Sequence, residues 1–110
     1  MVVGSLRVEL HVPASRSLKA KRAEIRPIVD GVRHRFPVAV AEVAHQDTWQ
    51  RATLGFAAVA ATPGRVTELL DEVERLVWSR PGVEVIDSER TWIDLDATAD
   101  GPGDPGDPVA

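Results

Sequence analysis

Residues 52–61 are apolar on both faces that a β-strand presents, and this feature limits the folds open to the chain. The apolar side chains alternate between the two faces, with Leu54, Phe56 and Ala58 on one and Ala57, Val59 and Ala61 on the other. A strand without a polar face belongs in the interior of a sheet, with material covering both sides. The sequence therefore predicts a sheet in which this strand is central.

Three other segments have strand patterns. Residues 3–12 alternate between apolar and polar side chains, which predicts a strand with one buried face. Residues 38–45 and 83–95 also indicate strands. In the last of these the apolar parity shifts between Val85 and Ile93, which predicts a β-bulge.

Two amphipathic helices are predicted between the strands. In residues 17–36, plotted at about 100° per residue, one apolar stripe contains Leu18, Ile25, Ile28, Val29, Val32 and Phe36. Ser17 is a suitable N-cap, and Pro27 lies nearly opposite the stripe, so we expect a kinked helix rather than a broken one. Thr62 and Pro63 begin the second helix. Its stripe contains Val66, Leu69, Leu70, Val73 and Val77.

The resulting order, β-α-β-β-α-β, is the split βαβ pattern of ferredoxin-like α+β domains. It predicts a four-stranded antiparallel sheet with two helices on one face and with the first and third strands central. We expect one domain over residues 1–96. Residues 97–110 are acidic and rich in Gly and Pro, which predicts a disordered tail.

Composition excludes several classes of protein. The chain has no cysteine, which rules out disulfides, thiolate metal sites and a thiol nucleophile. Arg7 and Glu9 interrupt the N-terminal segment, and no apolar run is long enough to span a membrane, so we expect a cytoplasmic protein without a membrane partner. The histidines lack the neighbours of a metal site, and no cofactor or metal is predicted.

Charge is distributed unevenly along the chain. The first 35 residues carry eight Lys/Arg and three Asp/Glu, whereas residues 36–96 carry five and eleven. Such a division predicts a polarised surface whose basic end meets nucleic acid or another anion. Alternatively, the two halves attract each other within the fold.

The predicted basic surface lies on the first helix. Lys19, Arg22, Arg26 and Arg33 fall within a sector of about 60° beside the apolar stripe. Other cations crowd the helix N-terminus, where free N–H groups also favour an anion. The candidate residues for anion or RNA binding are Arg16, Lys19, Lys21, Arg22, Arg26 and Arg33. Alternatively, their aliphatic stems shield the edge of the core.

A second candidate site is the connection between the second and third strands, with ligand or interface candidates His45, Asp47, Trp49 and Arg51. His45 and Asp47 could orient one another or a ligand. Trp49 could stack on a base or pack over the sheet edge. The structural alternative is a packed hairpin in which Asp47 caps the turn and Trp49 fills a gap.

Catalysis has little support, and we predict that the protein is not an enzyme. The chain has no Tyr, no Asn and no Gly-x-Ser-x-Gly elbow. Acylphosphatases share this topology, hold phosphate in the loop after the first strand and position water with an asparagine. Arg16 lies in the corresponding loop, but that loop lacks glycine. An acylphosphatase-like phosphohydrolase is therefore the least favoured hypothesis.

Three strings carry a resemblance to a known family: SLKAKR from Ser17, Arg35-Phe36-Pro37-Val38, and AEVAHQDTWQRATLGFAAV from Ala41. They resemble the YlxP family, a bacterial domain of unknown function (503), over about residues 3–96. The resemblance implies a small cytoplasmic ferredoxin-like protein. Genes of this family often lie between those for a translation initiation factor and ribosome-binding factor A, which implies a role in ribosome assembly or translation. The family supplies no catalytic residues.

Two functional hypotheses follow. The first is an RNA- or ribosome-associated accessory factor, which follows from the basic helix and the resemblance. The second is a homodimeric protein-interaction module without RNA binding. It follows from the third strand, because the second apolar face of that strand needs a cover that an isologous partner would supply through the open sheet face.

Overall fold

The computed structural model describes residues 1–95. Its elements follow the predicted order: β1 (Val2–His11), α1 (Leu18–Arg35), β2 (Val38–Ala44), β3 (Arg51–Ala60), α2 (Pro63–Trp78) and β4 (Glu84–Asp94). The predicted end of the domain at residue 96 and the predicted tail, 97–110, lie outside the described residues.

The four strands form one antiparallel sheet in the order β2-β3-β1-β4. β1 and β3 are central, as predicted. The two helices cover the same face, because each strand–helix–strand connection crosses the sheet with the same, right-handed sense. The predicted ferredoxin-like α+β fold is confirmed.

A single core lies between the sheet and the helices. The inward side chains of β1 are buried, and so are Ile25, Ile28 and Val32 of α1. The predicted stripe of α2 is entirely buried: Val66, Leu69, Leu70, Val73 and Val77. Pro27 is exposed inside a continuous α1, which confirms that the proline does not break the helix.

The second face of β3 is covered within residues 1–95 only near its start, where Thr53 is buried beside Glu9. Leu54, Phe56 and Ala58 are buried beneath the helices, whereas Ala57 is exposed and Val59 is 56% exposed. The apolar pattern correctly predicted a central strand. Within the described residues the helices cover one face fully, and the other face is left open beyond Thr53.

The bulge predicted for the last strand is confirmed. Glu9 of β1 pairs with Asp87, and the next residue, Leu10, pairs with Val85. Ile86 therefore has no residue opposite it, and the side-chain parity of β4 changes at this point.

Side chains occupy part of the outer edge of β2. Arg33 Nη2 donates to the Val40 carbonyl at 3.1 Å, and Gln46 Nε2 donates to the Glu42 carbonyl at 3.4 Å. Because backbone groups of an edge strand point outward at every second residue, these two carbonyls belong to the same exposed row. Their use by side chains makes the edge a poor template for another strand.

Gly4 sets how closely α2 approaches the sheet. A Cβ atom at this position would collide with Cγ1 of the buried Val66 and would lie 3.3 Å from Leu70 Cδ1. We expect Gly4→Ala to lower the free energy of unfolding by about 1–3 kcal/mol, the usual cost of overpacking a filled core. Urea unfolding measures this loss.

Gly64 provides the matched control, because a Cβ atom there meets nothing within 4 Å. It lies in the first turn of α2. Gly64→Ala should leave stability unchanged or raise it by up to about 1 kcal/mol, since alanine favours the helix. Equal losses in the two variants would contradict the role given to Gly4.

Candidate nucleic-acid interface

The side chain of Lys21 is the most buried cation in the described part of the chain, with only 1% of its surface exposed. Its Nζ atom donates to the Glu42 carboxylate at 2.8 Å. It also reaches three backbone carbonyls, those of His45 at 2.7 Å, Arg51 at 3.2 Å and Gln46 at 3.4 Å. A buried ammonium is stable only when it is paired and hydrogen-bonded, and this arrangement satisfies both conditions.

The prediction that Lys21 binds an external anion is therefore wrong. The sequence analysis placed it on the basic surface, but its ammonium group is enclosed between α1 and the β2–β3 connection. The reason lies in the helical period. Lys21 is four residues before Ile25 and seven before Ile28, so it falls on the buried stripe, and this spacing was a signal available in the sequence.

His45 directly follows β2, and its backbone is left-handed, with φ 62°. This conformation is uncommon for a residue with a side chain. The carbonyl of His45 accepts hydrogen bonds from Lys21 Nζ and, at 3.1 Å, from the amide of Thr48. Both bonds hold the residue in this conformation, which explains why the strand ends at Ala44, one residue before the prediction.

Gln50 connects the hairpin to the loop between β1 and α1. Its backbone carbonyl accepts from the amide of Val12 at 2.9 Å. Its side-chain Nε2 lies 3.2 Å from the carbonyls of Pro13 and Ser15. Together with the Lys21 contacts, these bonds join the hairpin, the loop and the first turns of α1.

Three exposed cations lie close together on α1 without a carboxylate partner in the described part of the chain. Lys19, Arg22 and Arg26 are exposed and form no ion pair with residues 1–95. Five Lys or Arg side chains in this range do form ion pairs: Arg7, Lys21, Arg51, Arg65 and Arg90. Five other arginines, Arg16, Arg33, Arg35, Arg75 and Arg80, have no ion pair in this range. The predicted row thus presents charges that the described fold does not neutralise. We call Lys19, Arg22 and Arg26 the basic row.

A shallow groove runs between α1 and β2 beside the basic row. Arg22, Arg26 and Arg33 line it, and Ile25 and Val29 contribute apolar surface. The acidic residues Asp30 and Glu42 also border the groove. Arg33 differs from the other arginines because it already donates to the edge of β2.

The remaining basic candidate, Arg16, is exposed in the loop before α1. Ser17 follows it and is the N-cap, as predicted, since its Oγ accepts from the amide of Ala20 at 3.0 Å. Arg16 adjoins Ser15, which is bound by Gln50. The loop therefore brings Arg16 beside the hairpin end of the basic row.

The hairpin between β2 and β3 differs from the packed hairpin that the sequence analysis gave as the structural alternative. Trp49 is 55% exposed, so it does not fill a gap. The turn is closed by the Thr48 amide and the His45 carbonyl rather than by Asp47. His45 is directed toward Glu9, with 4.0 Å between His45 Nε2 and Glu9 Oε1, and not toward Asp47.

Glu9 is the centre of an ionic cluster on the open sheet face. Its carboxylate accepts from Thr53 Oγ1 at 2.7 Å and pairs with Arg7 at 2.7 Å. Arg51 Nη2 lies 3.8 Å away. The hydrogen bond from Thr53 lowers the pKa of Glu9, with help from the positive charge of Arg7 and against the effect of burial.

The cluster extends across the sheet through Arg7. Its Nη2 atom pairs with Glu89 at 2.8 Å, and this hydrogen bond raises the pKa of Arg7. The alternation of β1 placed Arg7 and Glu9 on the polar face. The sequence analysis missed the cluster because the partners from β3 and β4 are set by strand register.

Residues 1–95 offer neither a metal site nor a membrane-spanning helix. No group of three or more His, Asp or Glu side chains there is placed to hold a metal ion. None of the helices in this range is both long and apolar enough to cross a membrane.

The structure thus defines an α+β protein of ferredoxin-like topology with an unpaired basic row on its first helix. A family model described as "Protein of unknown function (DUF503)" matches residues 3–90. The chain therefore belongs to the DUF503 family, in agreement with the resemblance seen in its sequence.

One similar curated relative is "Uncharacterized protein YlxP" of Bacillus subtilis (strain 168), 32% identical over 92 residues that cover 84% of this chain and 100% of the relative. Two designed proteins are similar in structure. Foldit4 has 16% identity and a TM-score of 0.47, and covers 82% of this chain and 94% of its own. LFR1 1, described as having a ferredoxin fold, has 12% identity and a TM-score of 0.49. The match covers 100% of this chain and 93% of LFR1 1.

Replacing Lys21 tests its structural role. We expect Lys21→Met to lower the free energy of unfolding by about 3 kcal/mol, because the Glu42 carboxylate and the hairpin carbonyls lose their shared donor. Hydrogen exchange of the hairpin amides should become faster. Chemical denaturation and amide exchange measure the two effects.

Lys19→Met is the matched control, since Lys19 is exposed two residues earlier on the same helix. Its effect should stay within about 0.5 kcal/mol. If both lysines behaved alike, the hairpin would not depend on the buried ammonium.

Proposed function

We propose that the protein is an RNA-binding accessory factor that associates with ribosomal RNA or a ribosomal subunit in ribosome assembly or translation. The observation that carries this proposal is the basic row, Lys19, Arg22 and Arg26, whose charges have no ion-pair partner within residues 1–95. Phosphate contacts by Lys and Arg supply most of the affinity for nucleic acids.

The length of the basic surface favours a polyanion over a small anion. Arg33, which also donates to the edge of β2, extends the basic surface beyond the basic row. At about 1.5 Å per residue, Lys19 and Arg33 are separated along α1 by about 21 Å. One phosphate cannot contact both ends of such a surface, whereas a nucleic-acid backbone presents charges along it. Two members of the basic row, Arg22 and Arg26, line the groove beside α1, so their guanidinium groups lie on the same side of the helix.

The open sheet face supports RNA binding less well. Proteins that bind RNA on such a sheet stack bases on aromatic side chains. β1 and β3 carry no aromatic side chain on this face, and Arg7 is already paired with Glu9 and Glu89. The helix therefore presents the better surface.

Neutralising the basic row tests the proposal. We expect the combined Lys19→Gln, Arg22→Gln and Arg26→Gln variant to bind a ribosomal RNA fragment at least tenfold more weakly. The slope of log affinity against log salt should decrease by about 2–3, since each lost phosphate contact removes about 0.7–0.9. Fluorescence anisotropy over a range of salt concentrations measures both quantities.

A matched variant removes three positive charges from the region of α2: Arg65→Gln, Arg75→Gln and Arg80→Gln. The acidic residues of this helix, Glu68, Asp71, Glu72 and Glu74, make it a poor phosphate surface. This control should retain the affinity and the salt slope. Equal losses in both variants would show that only net charge matters, and unchanged binding in the first would reject the surface. Co-sedimentation with ribosomal subunits at two salt concentrations tests the ribosomal partner.

A second candidate function is self-association through the open sheet face. Val43, Val59 and Ile93 are exposed by 52%, 56% and 52%. Small side chains on the same face would let a second sheet approach closely: Ser5, Ala39, Ala41 and Ala57. An isologous dimer would cover the face of β3 that the described residues leave open.

Val59→Asp tests this second candidate. The wild-type chain should be a dimer at micromolar concentration, and Val59→Asp a monomer, because the dimer would bury the new charge. Ile86→Asp, at the bulge of β4, is the control for an exposed apolar residue and should remain dimeric. Light scattering during size-exclusion chromatography decides the matter, and a wild-type monomer would exclude the dimer.

A further inference from the structure

Trp49 is a large aromatic side chain displayed on a fixed support. It is 55% exposed, although tryptophan is usually well buried. The hairpin that carries it is held from below by Lys21 and from the side by Gln50. Neither contact involves the indole ring, so the ring is not what fixes the hairpin.

The position of Trp49 connects it to the basic row. Gln50 Nε2 binds the Ser15 carbonyl at 3.2 Å, and Trp49 and Arg16 each adjoin one member of this contact. Lys21, within the same helical turns as Lys19 and Arg22, binds the carbonyls on both sides of the hairpin. The exposed indole and the unpaired cations therefore lie at the same end of the molecule.

The other exposed tryptophans have different surroundings. Trp78 is 62% exposed at the end of α2, a helix rich in acidic residues. Trp92 lies on β4, opposite Gly4. Arg75 and Arg80 lie within three residues of Trp78, but so does the carboxylate-rich surface of α2. An exposed ring close to the basic row, and not on an acidic helix, is therefore found at Trp49.

We propose that Trp49 is a stacking platform for an unpaired nucleobase, so that the RNA bound by this protein is a loop or single strand adjoining a helix. This inference rests on the proposed RNA-binding function and names the kind of RNA. Bases in continuous A-form duplex are inaccessible to such a side chain, whereas unstacked bases in loops pack on aromatic rings. Asp47, also in the hairpin, carries a negative charge, so the hairpin contributes stacking rather than phosphate binding.

The test compares a ribosomal RNA stem-loop with a blunt duplex of the same length. Trp49→Ala should weaken binding to the stem-loop by about 5- to 150-fold, the range for losing one stacked base. Its affinity for the duplex should stay within twofold of wild type. Trp49→Phe, which keeps an aromatic ring, should recover most of the stem-loop affinity. Trp78→Ala is the matched control and should bind both RNAs normally.

A direct readout uses fluorescence. In the Trp78→Phe and Trp92→Phe double variant, Trp49 is the remaining tryptophan. The stem-loop should quench its emission, and a saturating amount of duplex should not. Circular dichroism and urea unfolding of each variant show whether the fold is retained. If Trp49→Ala is unstable, the quenching measurement, which keeps Trp49, still tests the stacking role.

The outcomes separate the two proposals. Unchanged stem-loop affinity in Trp49→Ala, or an equal loss for stem-loop and duplex, would overturn the stacking role while the basic row could still bind RNA. Binding of neither RNA by the wild-type chain would overturn RNA binding and the stacking role together. Tight duplex binding without quenching by the stem-loop would overturn the stacking role and the loop preference together, while RNA binding by the basic row would stand.

Discussion

The interaction on which the candidate interface depends is the buried ammonium group of Lys21. It joins α1 to both ends of the β2–β3 connection through the carbonyls of His45 and Arg51, and it pairs with the carboxylate of Glu42. An ammonium group enclosed in protein loses its hydration, so these acceptors must remain in place. The helix that carries the basic row and the hairpin that displays Trp49 are therefore fixed relative to each other.

This contact also joins two of the distant strings that resemble the DUF503 family. Lys21 belongs to SLKAKR, whereas its acceptors come from AEVAHQDTWQR. The cations that look alike in the first string divide into two roles. Lys21 supports the fold, while Lys19 and Arg22 face solvent and are free for an external anion. A similar division separates the paired Arg7 on the sheet from the unpaired Arg26 on the helix.

Much of the fold could be predicted because hydrophobic periodicity and capping are local properties. The stripe of α2, the Ser17 N-cap and the β4 bulge were all identified from neighbouring residues. The site could be predicted only in part. The helical period correctly predicted that Lys19, Arg22 and Arg26 are exposed. Lys21 was assigned to the surface because of its charge, although its spacing from Ile25 and Ile28 placed it among the buried residues. The exposure of Trp49 depends on what surrounds the hairpin, which no local pattern records.

The sequence by itself determined the order of elements, the central place of β1 and β3, and the buried faces of both helices, because burial repeats with the period of each element. The tertiary structure decided which polar groups meet. Register placed Thr53 opposite Glu9, and packing of α1 against the hairpin enclosed Lys21. Such pairings depend on residues far apart in the chain, and only the folded arrangement distinguishes a cation that stabilises the protein from one left available to a partner.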